Sequence, residues 1–251
     1  MHRWIWLVLC AAACTSARGD ASRTEPTGFA VLELFTSEGC SSCPPADALL
    51  GAIAREAAQS GLPVYALSFH VDYWDGLGWR DPFSFADASR RQRAYAAVLD
   101  DHRVYTPELV LNGRRAFVGS NAAAARSGIR QALAQPAKHR LQLSAHVEGS
   151  ALAVEVEVSG QLPAQAAVQL AIVQAATTSR VTRGENIGRE LQHTNVVRAF
   201  QTLPLTGRDR IRTLLPLPAA DGELRLIGYV QELPSSTVLA AARTPSFAAQ
   251  R

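Results

Sequence analysis

With 251 residues, 47% of them apolar and 19% charged, the chain has the material for a sizeable core and the composition of a folded globular protein, which excludes a disordered polypeptide. Its net charge of +3 rests on arginine, Lys138 being the only lysine. No basic block or aromatic-interleaved stripe is present, which excludes the usual nucleic-acid surface.

The chain opens MHRWIWLVLCAAACTSARGDA, in which Arg3 precedes an apolar run from Trp4 to Ala13 and then small residues. That is the layout of a secretory signal peptide, here residues 1–19. The run is too short for an ordinary bilayer span. Cleavage after Ala13 or Ala17 satisfies the small-residue rule, and Ala11-Ala12-Ala13-Cys14 reads alternatively as a lipoprotein site. The expected location is therefore periplasmic or secreted, with membrane attachment only if Cys14 is lipidated. Signal-peptidase cleavage at either alanine removes Cys10 and leaves Cys40 and Cys43 as the sure pair, in an oxidising compartment.

Phe29 to Thr36 is a compact apolar run that predicts a buried strand leading into EGCSSCPPAD. Pro44 and Pro45 suit the first turn of a helix, and Ala46, Leu49, Leu50, Ile53 and Ala57 recur at helical spacing up to Gly61. Pro63 to Phe69 predicts a second, parallel strand. After the loop HVDYWDGLGWRDP, Ser84 to Asp100 predicts a second helix. Asn112-Gly113 signals a hairpin joining ELVL to RAFVG, and Ser120 or Asn121 caps a last helix to about Gln135. Past the linker-like Gln135 to His139 the pattern becomes alternating, with strands LQLSAHVEG, ALAVEVEVS, AAVQLAIVQ and ELRLIGYVQ. The expected fold is an α/β domain over 27–137 followed by a small antiparallel β-sandwich over 140–251.

Three chemistries fit Cys40-Ser41-Ser42-Cys43. A redox couple at a helix N-terminus benefits from unpaired N–H groups and the dipole, which favour thiolate at Cys40, the expected exposed nucleophile, with Cys43 as the resolving thiol. Glu38 opposes thiolate formation if it points inward. A purely structural disulfide closing so small a ring contributes only ~2 kcal/mol, against ~4 or more for a ring of order 100 residues. A metal site needs further ligands, for which His70 or His102 supply at most one each.

Tyr105-Thr106-Pro107, just before a predicted strand, is a natural place for a cis bond. A CxxC opening the first helix, with Thr-Pro heading the third strand, resembles the thioredoxin fold. More narrowly, TSEGCSSCPPAD, FHVDYWDGLGW, YTPELVLNG and GENIGRELQHTNVVR resemble a family of exported bacterial thioredoxin-like proteins catalogued as a domain of unknown function. The resemblance runs from about Ala30 to the C-terminus. It implies a redox motif at Cys40 and Cys43, a cis-proline at Pro107, and backbone hydrogen bonds from Thr106 to an extended substrate. Ser41-Ser42 stands where thioredoxin has Gly-Pro, which leaves the direction of electron flow open.

His70, Asp72, Trp74, Asp75 and Trp79 leave the carboxyl end of the second strand, on the same sheet edge as Cys40. His70 suits proton exchange with a leaving thiol and Trp74 a groove wall, the plainer alternative being packing at a domain interface. Glu185, Asn186, Arg189, His193, Asn195 and Arg198 cluster without clear periodicity. Satisfying neighbouring strand ends is the leading reading for them, and reaching the cysteine edge is the other. The expected function is thiol-disulfide exchange on protein or small-thiol substrates with an unidentified redox partner and no dissociable cofactor. The rival is a non-catalytic binding module with a structural disulfide or a copper or zinc thiolate site.

Overall fold

The computed structural model describes Met1 and residues 28–99, 102–205, 207 and 209–248. The expected leader, Met1 apart, lies outside the described residues, and Cys10 and Cys14 with it. Strand β1 (Ala30–Thr36) is buried along its whole length because it is covered on both faces. Helix α1 (Pro44–Gln59) and α3 (Ala122–Leu133) lie on one side, where Leu50, Ile53, Ala125 and Ile129 meet Leu32 and Leu34. Helix α2 (Ala86–Val98) lies on the other, where Tyr95 meets Phe35 and Phe69 of β2 (Val64–His70). Asn121 caps α3 as expected, its Oδ1 accepting from the Ala124 N–H at 3.0 Å.

Strands β3 (Glu108–Leu111) and β4 (Arg115–Val118) form the expected hairpin. Its turn puts Asn112 at φ 48° and Gly113 at φ 65°, the left-handed geometry that Asn-Gly tolerates. Gly113 also lies so close to the Ser236 carbonyl that a Cβ there would sit 1.8 Å from the oxygen.

The expected architecture is overturned beyond this point. An α/β thioredoxin-like domain followed by a small sandwich is not what forms. Strand β8 (Glu190–Pro204) pairs in parallel with β2 through Ser68 and Val196, so the sheet begun by the first half continues into the second. The result is a nine-stranded mixed sheet in the order β11-β10-β7-β8-β2-β1-β3-β4, with β12 (Phe247–Ala248) on β10. Here β7 is Ala166–Arg180, β10 Glu223–Glu232 and β11 Val238–Arg243. A separate three-stranded sheet of β5 (Arg140–Glu148), β6 (Ala151–Ser159) and β9 (Arg210–Pro216) packs Leu152, Val154 and Val156 against Leu170, Ile172 and Leu226. Among the described residues twelve strands stand against three α-helices.

The reason lies in β8. Its residues are too polar to announce a strand, because His193 and Asn195 are buried for hydrogen bonding rather than for apolar packing. Asn195 Nδ2 donates to the Ala66 carbonyl at 3.0 Å, and Gly51 of α1 lies directly on Thr194. No helix among the described residues is long and apolar enough to cross a membrane.

Candidate active site

The site is built where β1 hands over to α1. Ser37 turns the chain: its carbonyl accepts from Cys40 N at 3.2 Å and its hydroxyl from Gly39 N at 3.1 Å. Cys43 stands at the N-cap position of α1, and Pro44 and Pro45 follow in the first turn, where a missing N–H costs nothing. Cys40 and Cys43 form a disulfide with Cα atoms 5.4 Å apart. Neither is exposed: Cys40 is 1% and Cys43 0% accessible, although Ser41 and Ser42 between them are exposed. The expected exposed nucleophile is thus shielded.

The Thr106–Pro107 bond is cis. Pro107 closes on the helix start from the far side. Gly119 fills the gap, since a Cβ there would lie 3.1 Å from Ala46 Cβ and 3.2 Å from Pro107 Cβ. Gln92 of α2 steadies the segment by donating to the Tyr105 carbonyl at 2.7 Å and to Glu108 Oε2 at 2.6 Å. Trp74 joins the two halves of the site: its Nε1 donates to Thr106 Oγ1 at 2.9 Å, and its Cβ lies against Gly39. Trp74 thus links Thr106 to the cysteine turn at Gly39, and Pro107 lies across Gly119 from Ala46 in the first turn of α1.

His70 is not at the surface. It is fully buried, its Nδ1 donating to Asp81 Oδ2 at 2.7 Å and its Nε2 unpartnered, with the ring edge-on to His193 at 4.8 Å. Behind the cysteine turn these two imidazoles join Asp81, Glu38 and Asp47 in one buried cluster. Glu38 N donates to Asp81 Oδ2 at 2.8 Å, and Glu38 accepts from Trp79 Nε1 at 2.8 Å and His193 Nε2 at 3.1 Å. His193 Nδ1 lies 4.0 Å from Asp47 Oδ2. The inward Glu38 is thus held by an indole and an imidazole. Burial pushes the Asp81 carboxyl up, but His70 and the N–H groups of Glu38 and Phe83 outweigh it and hold it low.

Asp47, one helical turn after Cys43, behaves oppositely. Desolvation, opposed mainly by His193, raises its carboxyl from the ordinary 3.8 to about 7. The folded chain keeps a proton there that the unfolded chain releases near pH 4, so stability falls as pH climbs from about 4 to 7. Asp47→Asn is expected to flatten that window. By urea unfolding the variant should match wild type near pH 4 and exceed it at pH 8, by up to about 1.4 kcal/mol for each unit of pKa removed. An unchanged pH slope would count against a buried neutral carboxyl.

The polar segment entering β8 does reach the cysteine edge. Asn186 Nδ2 donates to the carbonyls of Glu38 and Cys40, both at 2.9 Å, and Ser41 N donates to Glu185 Oε2 at 3.0 Å. Arg189 acts through Asn186, its NH1 donating to Asn186 Oδ1 at 3.0 Å. Asn195 serves β2 instead, and Arg198 stacks on Phe83 and pairs with Gln174. Sequence reasoning missed Asp47 and Asp81; the available signal for Asp47 was an acid four residues after Cys43 on the apolar face of α1. His102, the other proposed metal ligand, is exposed and turned to the Ala96 carbonyl. Among the described residues no three His, Cys, Asp or Glu side chains converge as a metal-binding group.

The family described as "Protein of unknown function (DUF1223)" matches residues 31–231, from β1 to β10. The chain belongs to this family. The match takes in both cysteines, Thr106-Pro107 and Asn186, so the whole site falls inside the family region. A solved Agrobacterium tumefaciens protein from a structural genomics programme is 27% identical with a TM-score of 0.59, over 85% of this chain and 92% of that one. The chicken interferon gamma receptor alpha chain, at 10% identity and TM-score 0.31 over 59% of this chain and 63% of that one, is too distant to bear on the family's fold. No curated protein matches.

Proposed function

We propose that the protein is an exported thiol-disulfide oxidoreductase whose reactive group is the Cys40–Cys43 disulfide. The observation that carries the reading is the placement of that pair: at the N-terminus of α1, beside Pro107, Thr106 and Trp74, with buried carboxyl and imidazole groups behind it. So small a ring stabilises a fold by only ~2 kcal/mol, so a structural role alone leaves the elaborate surroundings unexplained.

The exchange balances without a cofactor. A substrate thiolate attacks Cys40 Sγ, the bond to Cys43 Sγ breaks, and Cys43 leaves as thiolate and takes up a proton. A second substrate thiolate attacks the mixed disulfide and expels Cys40. The substrate becomes a disulfide and the protein a dithiol, two electrons having passed; a disulfide-bearing partner reverses the change. The α1 N-terminus favours each departing thiolate. Thr106 offers backbone hydrogen bonds to an extended substrate, and Trp74 supplies a wall of the groove.

Alkylation of the cysteines after equilibration in thiol buffers of graded potential tests the reading. A midpoint between about −120 and −270 mV is expected, the range of working oxidoreductases. A midpoint below about −300 mV marks a structural disulfide and overturns it.

A further inference from the structure

The turn that leads into β8 lies on the backbone of the cysteine loop. Between Thr182 and Glu190, the turn joining β7 to β8, Asn186 is the single buried residue, at 1% accessibility. The apolar side chain of the turn, Ile187, points away and is 66% exposed. The turn is therefore held on the cysteine loop by polar contacts: Asn186 on the carbonyls of Glu38 and Cys40, and the exposed Glu185 on the Ser41 N–H. Its backbone rests on Trp79 at Gly184, and Gly184 and Gly188 bracket the latch residue at φ 72° and 81°.

The geometry points to a gate: the 182–189 turn covers the Cys40–Cys43 disulfide, and Asn186 is its latch. An apolar plug resists withdrawal because its surface must be hydrated, whereas amide-to-carbonyl bonds are replaced by bonds to water at small net cost. A turn held in this way opens locally while the sheet beneath stays folded. Opening frees the Ser41 N–H and the Cys40 carbonyl, the groups an incoming chain would meet first. The gate serves the exchange chemistry proposed above, but its existence rests on burial and hydrogen bonding alone.

The test is the rate at which a phosphine, tris(2-carboxyethyl)phosphine, reduces the mature protein, read by quenching with an alkylating agent. The phosphine attacks a sulfur, the S–S bond breaks, water hydrolyses the adduct to phosphine oxide, and the cysteines gain two electrons and two protons. Asn186→Ala is expected to be reduced about tenfold faster than wild type, and Glu185→Gln about threefold faster, in keeping with two hydrogen bonds removed in the first and one charge-assisted bond weakened to a neutral one in the second. Leu152→Ala, which opens a cavity in the distant three-stranded sheet, controls for loss of global stability and should leave the rate unchanged. If Asn186→Ala does not fold, Glu185→Gln still reads the gate, because its bond is exposed. Equal rates in wild type and both turn variants, or an equal acceleration in Leu152→Ala, would overturn the gate. Phosphine reduction needs no thiol substrate, so the gate and the exchange reading stand or fall separately.

Discussion

Arg91→Met is expected to destabilise the protein by about 3–5 kcal/mol, the usual cost of leaving a buried charge without its partner. Arg91 of α2 and Glu33 of β1 are an ion pair with side chains only 9% and 1% exposed, the Arg91 NH2 donating to Glu33 Oε1 at 2.9 Å. Tyr229 of β10 donates to Glu33 Oε2 at 3.0 Å, and Tyr95 also donates to Glu33. The guanidinium carbon lies 4.9 Å from the Tyr95 ring, 5.0 Å from Phe200 and 5.4 Å from Tyr229. This cluster ties α2 and β1 to β8 and β10, the two halves of the large sheet. In a cycle of urea unfolding experiments, Glu33→Met with Arg91→Met should recover part of the loss, because no charge is then left buried alone, while the Tyr229 and Tyr95 hydroxyls that lose Glu33 as acceptor keep the recovery incomplete. A single-variant loss under about 1 kcal/mol would show that water reaches the cluster.

Cys40→Ser is expected to abolish thiol-disulfide exchange to the uncatalysed background while lowering stability by only ~2 kcal/mol. Cys43→Ser should differ: Cys40 remains able to attack, but the adduct cannot resolve, so covalent mixed disulfides accumulate on Cys40. Mass spectrometry of each variant after incubation with an oxidised peptide measures the difference. The opposite split, a large stability loss in both variants with no adduct on Cys43→Ser, would make the bridge a staple.

The first half of the chain was legible because its signals are local. The apolar run of β1, the prolines opening α1, the Asn112-Gly113 turn and the Asn121 cap each act within a few residues, and each lies close to where it was expected. The second half misled because β8 is a polar strand. Its pattern answers to partners far away: Asn195 to Ala66, His193 to Glu38, and Val196 to Ser68. A one-dimensional periodicity registers burial against apolar neighbours and is blind to burial satisfied by hydrogen bonds.

The same division runs through the candidate site. Sequence alone determined that two cysteines stand three residues apart at a helix start and that a threonine-proline pair heads a later strand, because helix N-terminal chemistry and strand boundaries are local matters. Bringing that pair toward the cysteines is an expectation taken from the thioredoxin resemblance. Only the tertiary structure decided that both sulfurs are shielded, that His70 belongs to a buried carboxyl-imidazole cluster, and that Asn186 sits on the carbonyl of Cys40 from 146 residues away. Those features depend on β8 joining β2, and that pairing is settled by which buried polar groups find partners once the whole sheet has assembled.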